Sequence, residues 1–75
     1  MKLGNVTKRV ELVQQAVGLE NAKVLLVEME GTQIAALDRA GAKPGDRVLV
    51  VMSHAAGRYA MEAPADAVVV GVVQA

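Results

Sequence analysis

The stretch AGAKPGDRVLVVM, residues 40–52, carries the strongest local structural signal in the chain. Pro44 sets φ for the first central position of a turn, and Gly45 supplies the positive φ that a type II turn requires at the second. Residues 47–52 follow the turn directly and are rich in valine, whose β-branched side chain favours a strand. The segment therefore predicts a tight turn that leads into a β-strand.

Three more strands are predicted in the sequence that precedes this turn. Period-2 alternation over residues 6–12 gives a first strand, in which Lys8 interrupts the otherwise apolar face. Residues 23–29 form a second strand, whose continuous apolar centre indicates burial on both faces. A short turn at 30–32 joins it to a third strand over residues 33–38, so that the two make a hairpin.

The remaining segments complete an all-β pattern. Residues 66–73 predict a fifth strand, in which Gly71 indicates a bulge or a close backbone approach. The alanine-rich residues 53–60 allow one helical turn with Ser53 as its N-cap. Five short strands separated by turns indicate a barrel or a sandwich, whereas an α/β fold would need longer crossover helices. We expect a small five-stranded antiparallel β-barrel, OB-like, with one short helical turn.

Composition limits the classes of partner. Seventy-five residues allow a single domain over residues 1–75, and eight Lys and Arg balance eight Asp and Glu. A neutral chain lacks the basic surface that nucleic acid or an anionic membrane attracts. No apolar run approaches the ~20 residues that span a bilayer, and residues 1–5 do not resemble a signal peptide. We therefore expect a cytoplasmic protein without nucleic-acid or membrane partners.

The same composition predicts self-association. Hydrophobic residues make up 53% of the chain, yet it contains no Trp, Phe or Cys and a single aromatic residue, Tyr59. A domain of this size buries only about 60% of its unfolded surface, and here neither disulfides nor large aromatic side chains compensate. Oligomerisation is the usual remaining source of stability for such small scaffolds. We expect a homo-oligomer whose neighbours cover an apolar face.

Residues with catalytic or metal-binding chemistry do not form a recognisable set. Ser53 and His54 are adjacent in sequence, which does not make a nucleophile–base pair, and a polar loop with Ser53 as cap is the better interpretation. His54 has no second His or Cys to complete a zinc site. Asp38 and Asp66 are better explained as residues that end or begin strands than as a catalytic carboxylate pair. We expect no catalysis, no metal and no cofactor.

Four segments resemble the EutN/CcmL family of bacterial microcompartment vertex proteins. They are KVLLV at residues 23–27, AALD at 35–38 followed by AGAKPGDRVLV at 40–50, SHAAGR at 53–58, and PADAVVVGVV at 64–73. The resemblance covers nearly the whole chain and keeps the order of the family's motifs. It implies a cyclic homopentamer of small β-barrels that caps the five-fold vertices of a carboxysome or metabolosome shell in the cytoplasm. It also implies hexameric or trimeric shell proteins as partners.

The resemblance also suggests positions for functional residues. The loop nearest the central opening of the ring is expected to contain small and polar side chains, namely Ser53, His54, Ala55 and Ala56. Candidate turn and interface residues are Asp38, Gly41, Pro44, Gly45 and Arg58. The alternative is an OB-like module that binds an oligonucleotide or small ligand, which rests only on the expected barrel topology.

Overall fold

Five strands follow one another along the chain and close into a barrel. The computed structural model describes residues 1–12, 23–52 and 67–74. The strands are β1 (Lys2–Val10), β2 (Val24–Met29), β3 (Thr32–Asp38), β4 (Arg47–Met52) and β5 (Ala67–Val73). Their order around the barrel is β1-β2-β3-β5-β4. The predicted five-stranded barrel is confirmed and the sandwich alternative is wrong, while the predicted helical turn at residues 53–60 lies outside the described residues.

One strand pairing differs from the predicted antiparallel arrangement. β1–β2, β1–β4, β2–β3 and β4–β5 are antiparallel, whereas β3 and β5 are parallel and pair only through Leu37–Val68 and Asp38–Val69. The reason is parity, because strand directions cannot alternate all the way around a closed ring with an odd number of members.

Over the described ranges, no helix is both long and apolar enough to cross a membrane.

β1 begins earlier than the sequence predicts and contains a bulge. Lys2 already pairs with Val50 of β4, although polar residues and Gly4 conceal this part of the strand. The register with β2 passes from Val6–Val27 to Lys8–Leu26, which leaves Thr7 as an extra residue. The Thr7 hydroxyl donates to the carbonyl oxygen of Leu26 at 2.9 Å. Because the bulge exchanges the two faces of the strand, Val6 is buried and Lys8 is exposed.

β5 contains the second irregularity. Leu49 pairs with Gly71 but Val50 pairs with Val69, so Val70 is the extra residue opposite β4. The predicted bulge beside Gly71 is therefore confirmed. Within the chain, a Cβ atom built on Gly71 would meet nothing within 4 Å, and an approach to Gly71 by another backbone stays a prediction.

Among the described residues, the barrel interior is filled mainly by short aliphatic side chains. The core side chains with the lowest exposure are Leu25, Val27, Val48, Val50 and Val69. Each of these is a valine or a leucine, and no polar or charged side chain among the described residues is buried. Small residues and methionine complete the central cluster, which includes Met29, Ala36, Ala42 and Ala67. Such a core is narrow, so the strands must approach one another closely.

The closest approach is at Gly4, where β1 lies against β2. A Cβ atom on Gly4 would be 2.6 Å from Met29 Cγ, 2.6 Å from Val27 Cγ1 and 3.0 Å from the carbonyl oxygen of Glu28. Both side chains are buried in the barrel, and Val27 is fully enclosed. Gly4 is therefore present because no larger residue fits between the strands.

The connection between β3 and β4 is held by the carboxylate of Asp38. It accepts three backbone hydrogen bonds, from Ala40 N at 2.9 Å, Gly41 N at 3.0 Å and Ala42 N at 3.0 Å. The N–H of Asp38 itself donates to the carbonyl oxygen of Lys23 at 2.8 Å. One side chain thus accepts hydrogen bonds from three consecutive backbone N–H groups that follow β3. These bonds hold the segment in place, with Ala42 against the core.

The predicted type II turn follows at residues 43–46. Asp46 N donates to the carbonyl oxygen of Lys43 at 3.0 Å, and Gly45 has a φ of 94°. The turn packs on β1 through two backbone bonds, from Val6 N to Asp46 O at 2.9 Å and from Gly45 N to Val6 O at 2.8 Å. The turn therefore continues the β1–β4 pairing beyond Arg47. Pro44 lies at the first central position of the turn, where the turn uses no backbone N–H as a donor.

We expect Gly4→Ala to lower the free energy of unfolding by about 1–3 kcal/mol, because the added methyl group overpacks the β1–β2 contact. Chemical denaturation at one fixed chain concentration measures the effect. Arg9→Ala is the control, since Arg9 is exposed on the same strand, and it should change stability by less than about 1 kcal/mol. Equal effects of the two substitutions would contradict the steric explanation.

We expect Asp38→Ala to lower the free energy of unfolding by about 1.5–3 kcal/mol, because hydrogen bonds to a charged group are among the stronger ones. Asp46→Ala is the control, since its carboxylate accepts a single exposed bond, from Lys43 N at 2.9 Å. Denaturation of both variants should give the larger loss for Asp38→Ala. If Asp46→Ala were the more destabilising change, the role assigned to Asp38 would be wrong.

Candidate assembly surface

The structure brings four of the sequence-predicted residues into one short segment. Asp38, Gly41, Pro44 and Gly45 all belong to the connection between β3 and β4, where Asp38 accepts a bond from Gly41 N at 3.0 Å. Their geometry is that of a rigid turn, and their contact with another subunit stays a prediction. The other candidates, Ser53, His54, Ala55, Ala56 and Arg58, lie outside the described residues, so their placement near a central opening also stays a prediction.

The outer surface of β1, β4 and β5 is apolar along one row. Leu3 pairs with Leu49, and Leu49 pairs with Gly71. Leu3 points outward because its neighbour Gly4 faces the buried side chains of β2, and Leu3 is 46% exposed. We call the row formed by Leu3, Leu49 and Gly71 the β4–β5 face. Sequence reasoning missed Leu3, since the predicted first strand did not extend that far.

A second apolar surface lies on β2 and β3. The side chains of Leu25 and Val27 fill the barrel, so Val24 and Leu26 point outward between them. Leu26 pairs with Ala35 of β3, which is exposed, and Val24 and Leu26 are only half-buried. We call the row formed by Val24, Leu26 and Ala35 the β2–β3 face. It explains the continuous apolar centre of the second strand, because inward and outward positions are both hydrophobic.

Charged residues flank both faces. Arg47 lies on the same side of β4 as Leu49, and Glu28 lies on the same side of β2 as Leu26. Asn5 of β1 separates them, since it pairs with Arg47 on one side and Glu28 on the other. Arg47 therefore gives the β4–β5 face a positive border, whereas the β2–β3 face is flanked by both signs of charge, because exposed Lys8 of β1 pairs with Leu26.

The β2–β3 hairpin carries an exposed ion pair. Glu30 and Gly31 form its two-residue turn with φ values of 52° and 81°, as a type I′ turn requires. Gly31 N donates to Glu28 Oε2 at 2.9 Å, and Lys2 Nζ donates to Glu30 Oε1 at 2.8 Å. The hydrogen bond and charge of Lys2 lower the pKa of Glu30 below its ordinary value. This pair connects the start of β1 to the hairpin end.

The described surface offers area for contact rather than a cluster of reactive groups. In residues 1–12, 23–52 and 67–74, no group of three or more His, Cys, Asp or Glu side chains could hold a metal ion. What these residues do provide is two apolar faces bordered by charged side chains. Such an arrangement suits association with another protein surface.

Comparison with known proteins identifies relatives over the whole chain. The family model described as "Ethanolamine utilisation protein EutN/carboxysome" matches residues 1–74. Among solved structures, EutN from Escherichia coli is 34% identical, with 97% of this chain and 85% of that chain covered and a TM-score of 0.85. The GrpN pentameric microcompartment shell protein from Rhodospirillum rubrum is 28% identical, with coverages of 100% and 96% and a TM-score of 0.85.

A third solved relative is CcmL from Nostoc sp. PCC 7120. It is 28% identical, with 97% of this chain and 88% of that chain covered and a TM-score of 0.83. The search of curated proteins returned no significant match. Because one family model accounts for residues 1–74 and the barrel superposes on solved members over nearly its full length, the chain belongs to the EutN/CcmL family.

Proposed function

We propose that the protein is a structural shell component that assembles as a homopentamer and caps the five-fold vertices of a bacterial microcompartment in the cytoplasm. The match of the family model to residues 1–74 is the observation that carries this proposal. The Rhodospirillum rubrum relative, which aligns with the whole of this chain, is described as a pentameric microcompartment shell protein. Its fold is the same barrel, so an equivalent ring is the simplest assembly for this chain.

Geometry explains why a shell would need such a unit. A flat layer of hexagonal tiles cannot close into a polyhedron unless five-fold units are inserted. A five-fold ring is built from a heterologous interface, in which two different surfaces of the subunit meet and the rotation closes. A narrow aliphatic barrel with apolar outer rows suits this role, because neighbouring copies cover area that one copy leaves in water.

The role is one of packing and closure, without catalysis. Its partners are other copies of the chain and the hexameric or trimeric tiles of the same shell, which would meet the outer rim of the ring. The alternative, an OB-like module for single-stranded nucleic acid, needs aromatic stacking platforms. The chain has one aromatic residue, Tyr59, which lies outside the described residues, and no observation favours this alternative.

We expect the purified protein to have a mass five times the 7.8 kDa of one chain. Native mass spectrometry at micromolar concentration measures it directly, with sedimentation velocity as a second method. The physical reason is that the outer apolar rows of each copy are removed from water only in a closed ring. A chain that stays monomeric at high micromolar concentration would contradict the proposal.

We also expect sealed polyhedral shells to require this protein. Electron microscopy of shells assembled from the matching tile proteins, with and without this chain, should show closed particles only when it is present. Adding the chain back is the control, and it should restore closure. Sealed polyhedra formed without it, in the absence of any other vertex protein, would remove the vertex role even if the pentamer were real.

A further inference from the structure

Most of the exposed cations among the described residues lie at one end of the barrel. β1 and β3 finish at this end, and β2 and β4 begin there. Arg9 is near the end of β1, Lys23 immediately precedes β2, and Lys43 belongs to the turn before β4. We call the surface formed by these three residues the basic end. Lys2, in contrast, lies at the beginning of β1 and is paired with Glu30 at 2.8 Å.

The backbone brings the three cations of the basic end to the same part of the surface. Arg9 pairs with Leu25, whose side chain fills the barrel, and Lys23 lies two residues before Leu25 on the same side of the chain. Both cations are nevertheless exposed, so they lie where the barrel opens and not on either apolar face. The carbonyl oxygen of Lys23 accepts the N–H of Asp38, and the bonds to the Asp38 carboxylate hold the connection that leads to Lys43.

The positive charge of the basic end is not compensated by the described side chains. Those of Arg9, Lys23 and Lys43 are exposed and make no hydrogen bond or ion pair with another described residue. Asp38 and Asp46 are the acids of the adjoining connection, but their carboxylate oxygens accept backbone N–H groups of residues 40–43. The three cations are therefore available to a partner.

Further charges around the basic end keep its balance positive. Lys8 is next to Arg9 on β1, Arg47 begins β4, and both are exposed, as is the acid Glu11 that follows β1. The described cations at this end outnumber the described acids, even with the two aspartates of the connection included. The whole chain has eight Lys and Arg and eight Asp and Glu, so its charges are separated rather than in excess. Such a separation favours a partner of opposite charge at one place on the surface.

The carboxylates of a protein fit this surface better than the phosphates of a nucleic acid. Nucleic-acid-binding domains are strongly basic as a whole, whereas this chain has a pI of about 6.5. The described residues also contain no aromatic side chain on which a base could stack. Lys8 pairs with Leu26 of the β2–β3 face, so cations and apolar side chains are neighbours here. A polypeptide that carries acidic and apolar side chains can contact both.

We propose that the basic end binds an acidic segment of a second, different protein, whose carboxylates contact Arg9, Lys23 and Lys43. The binding goes beyond the proposed function and does not depend on it, because all three cations belong to one copy of the chain. Since these side chains are exposed, each ion pair contributes modestly and is screened by salt. Affinity therefore comes from several carboxylates that bind at once.

Fluorescence anisotropy with a fluorescein-labelled oligoglutamate peptide tests this binding. The wild-type protein should bind the peptide at low salt, and the affinity should fall as salt is added. Lys23→Gln and Lys43→Gln should each weaken binding by about two- to fivefold, because each removes one exposed ion pair. Circular dichroism verifies that each variant is folded.

Lys2→Gln is the matched control, because it removes the same charge from an exposed lysine at the opposite end of the barrel. It should leave the affinity for the peptide unchanged. A loss in Lys2→Gln equal to that in Lys23→Gln would overturn the proposal, because the effect would then follow from net charge and not from the basic end. Failure of the wild-type protein to bind the peptide at low salt would overturn it as well.

A labelled oligothymidylate of the same net charge separates the two classes of anion. It should bind more weakly than oligoglutamate at the same salt concentration. Binding as tight as that of the peptide would overturn the assignment of a protein partner. The native mass of the wild-type protein, measured separately, decides whether the ring exists, so the two proposals fail independently.

Discussion

The narrow aliphatic interior of the barrel is the constraint on which the other features depend. Its fully enclosed side chains are valines and a leucine, and the described residues include no aromatic ring that could hold the strands apart. The strands must therefore lie close together for the core to be filled at normal density. Gly4 is the local consequence, since any side chain there would collide with Val27 and Met29. The bulge at Thr7 is where β1 departs from regular pairing with β2, just beyond this contact.

The odd number of strands has an equally direct consequence for the surface. A closed ring of five strands must contain a parallel pair, and here it is the two-residue contact between β3 and β5. The chain leaves β3 through the turn organised by Asp38, while β5 continues past the contact toward Val73. The two strands diverge at this seam, and the last residues of β5 retain an edge that β3 does not cover. The topology itself thus creates a surface suited to a neighbour.

Much of this could be predicted from sequence where the signal is local. Pro44 and Gly45 specify a type II turn by their own backbone preferences, and the Val-rich strands are apparent from composition. The beginning of β1 could not be predicted, because Lys2, Gly4 and Asn5 form a strand only through their pairing with β4. The three bonds to Asp38 were also missed, although an Asp at a strand end followed by small residues is a usable signal. Parity alone, applied to five strands in a closed barrel, would have predicted the parallel pair.

The prediction about function had a different basis. Residue chemistry alone led to an oligomer of an unspecified kind, and the ordered motifs provided the family, which the match over residues 1–74 confirms. Which residues would line a central opening could not be predicted from local sequence rules. Such an opening would form only between several copies of the chain, and a single sequence does not show how the copies are arranged. The two faces illustrate the same limit, since Leu26 and Leu49 read as core residues until the pairing shows that they point outward.

Folding and assembly are linked because the same strands serve both. Along β4, Val48 and Val50 enter the core while Leu49 between them faces outward, so a continuous apolar run is divided between the interior and the outer surface. A neighbour that binds only the folded chain stabilises it by mass action, and the stabilisation grows with chain concentration. The outer residues of these strands then contribute to stability without entering the core. In the proposed ring, a domain with so small an interior tolerates exposed leucine and valine because contact with the next copy supplies the free energy that its own packing does not.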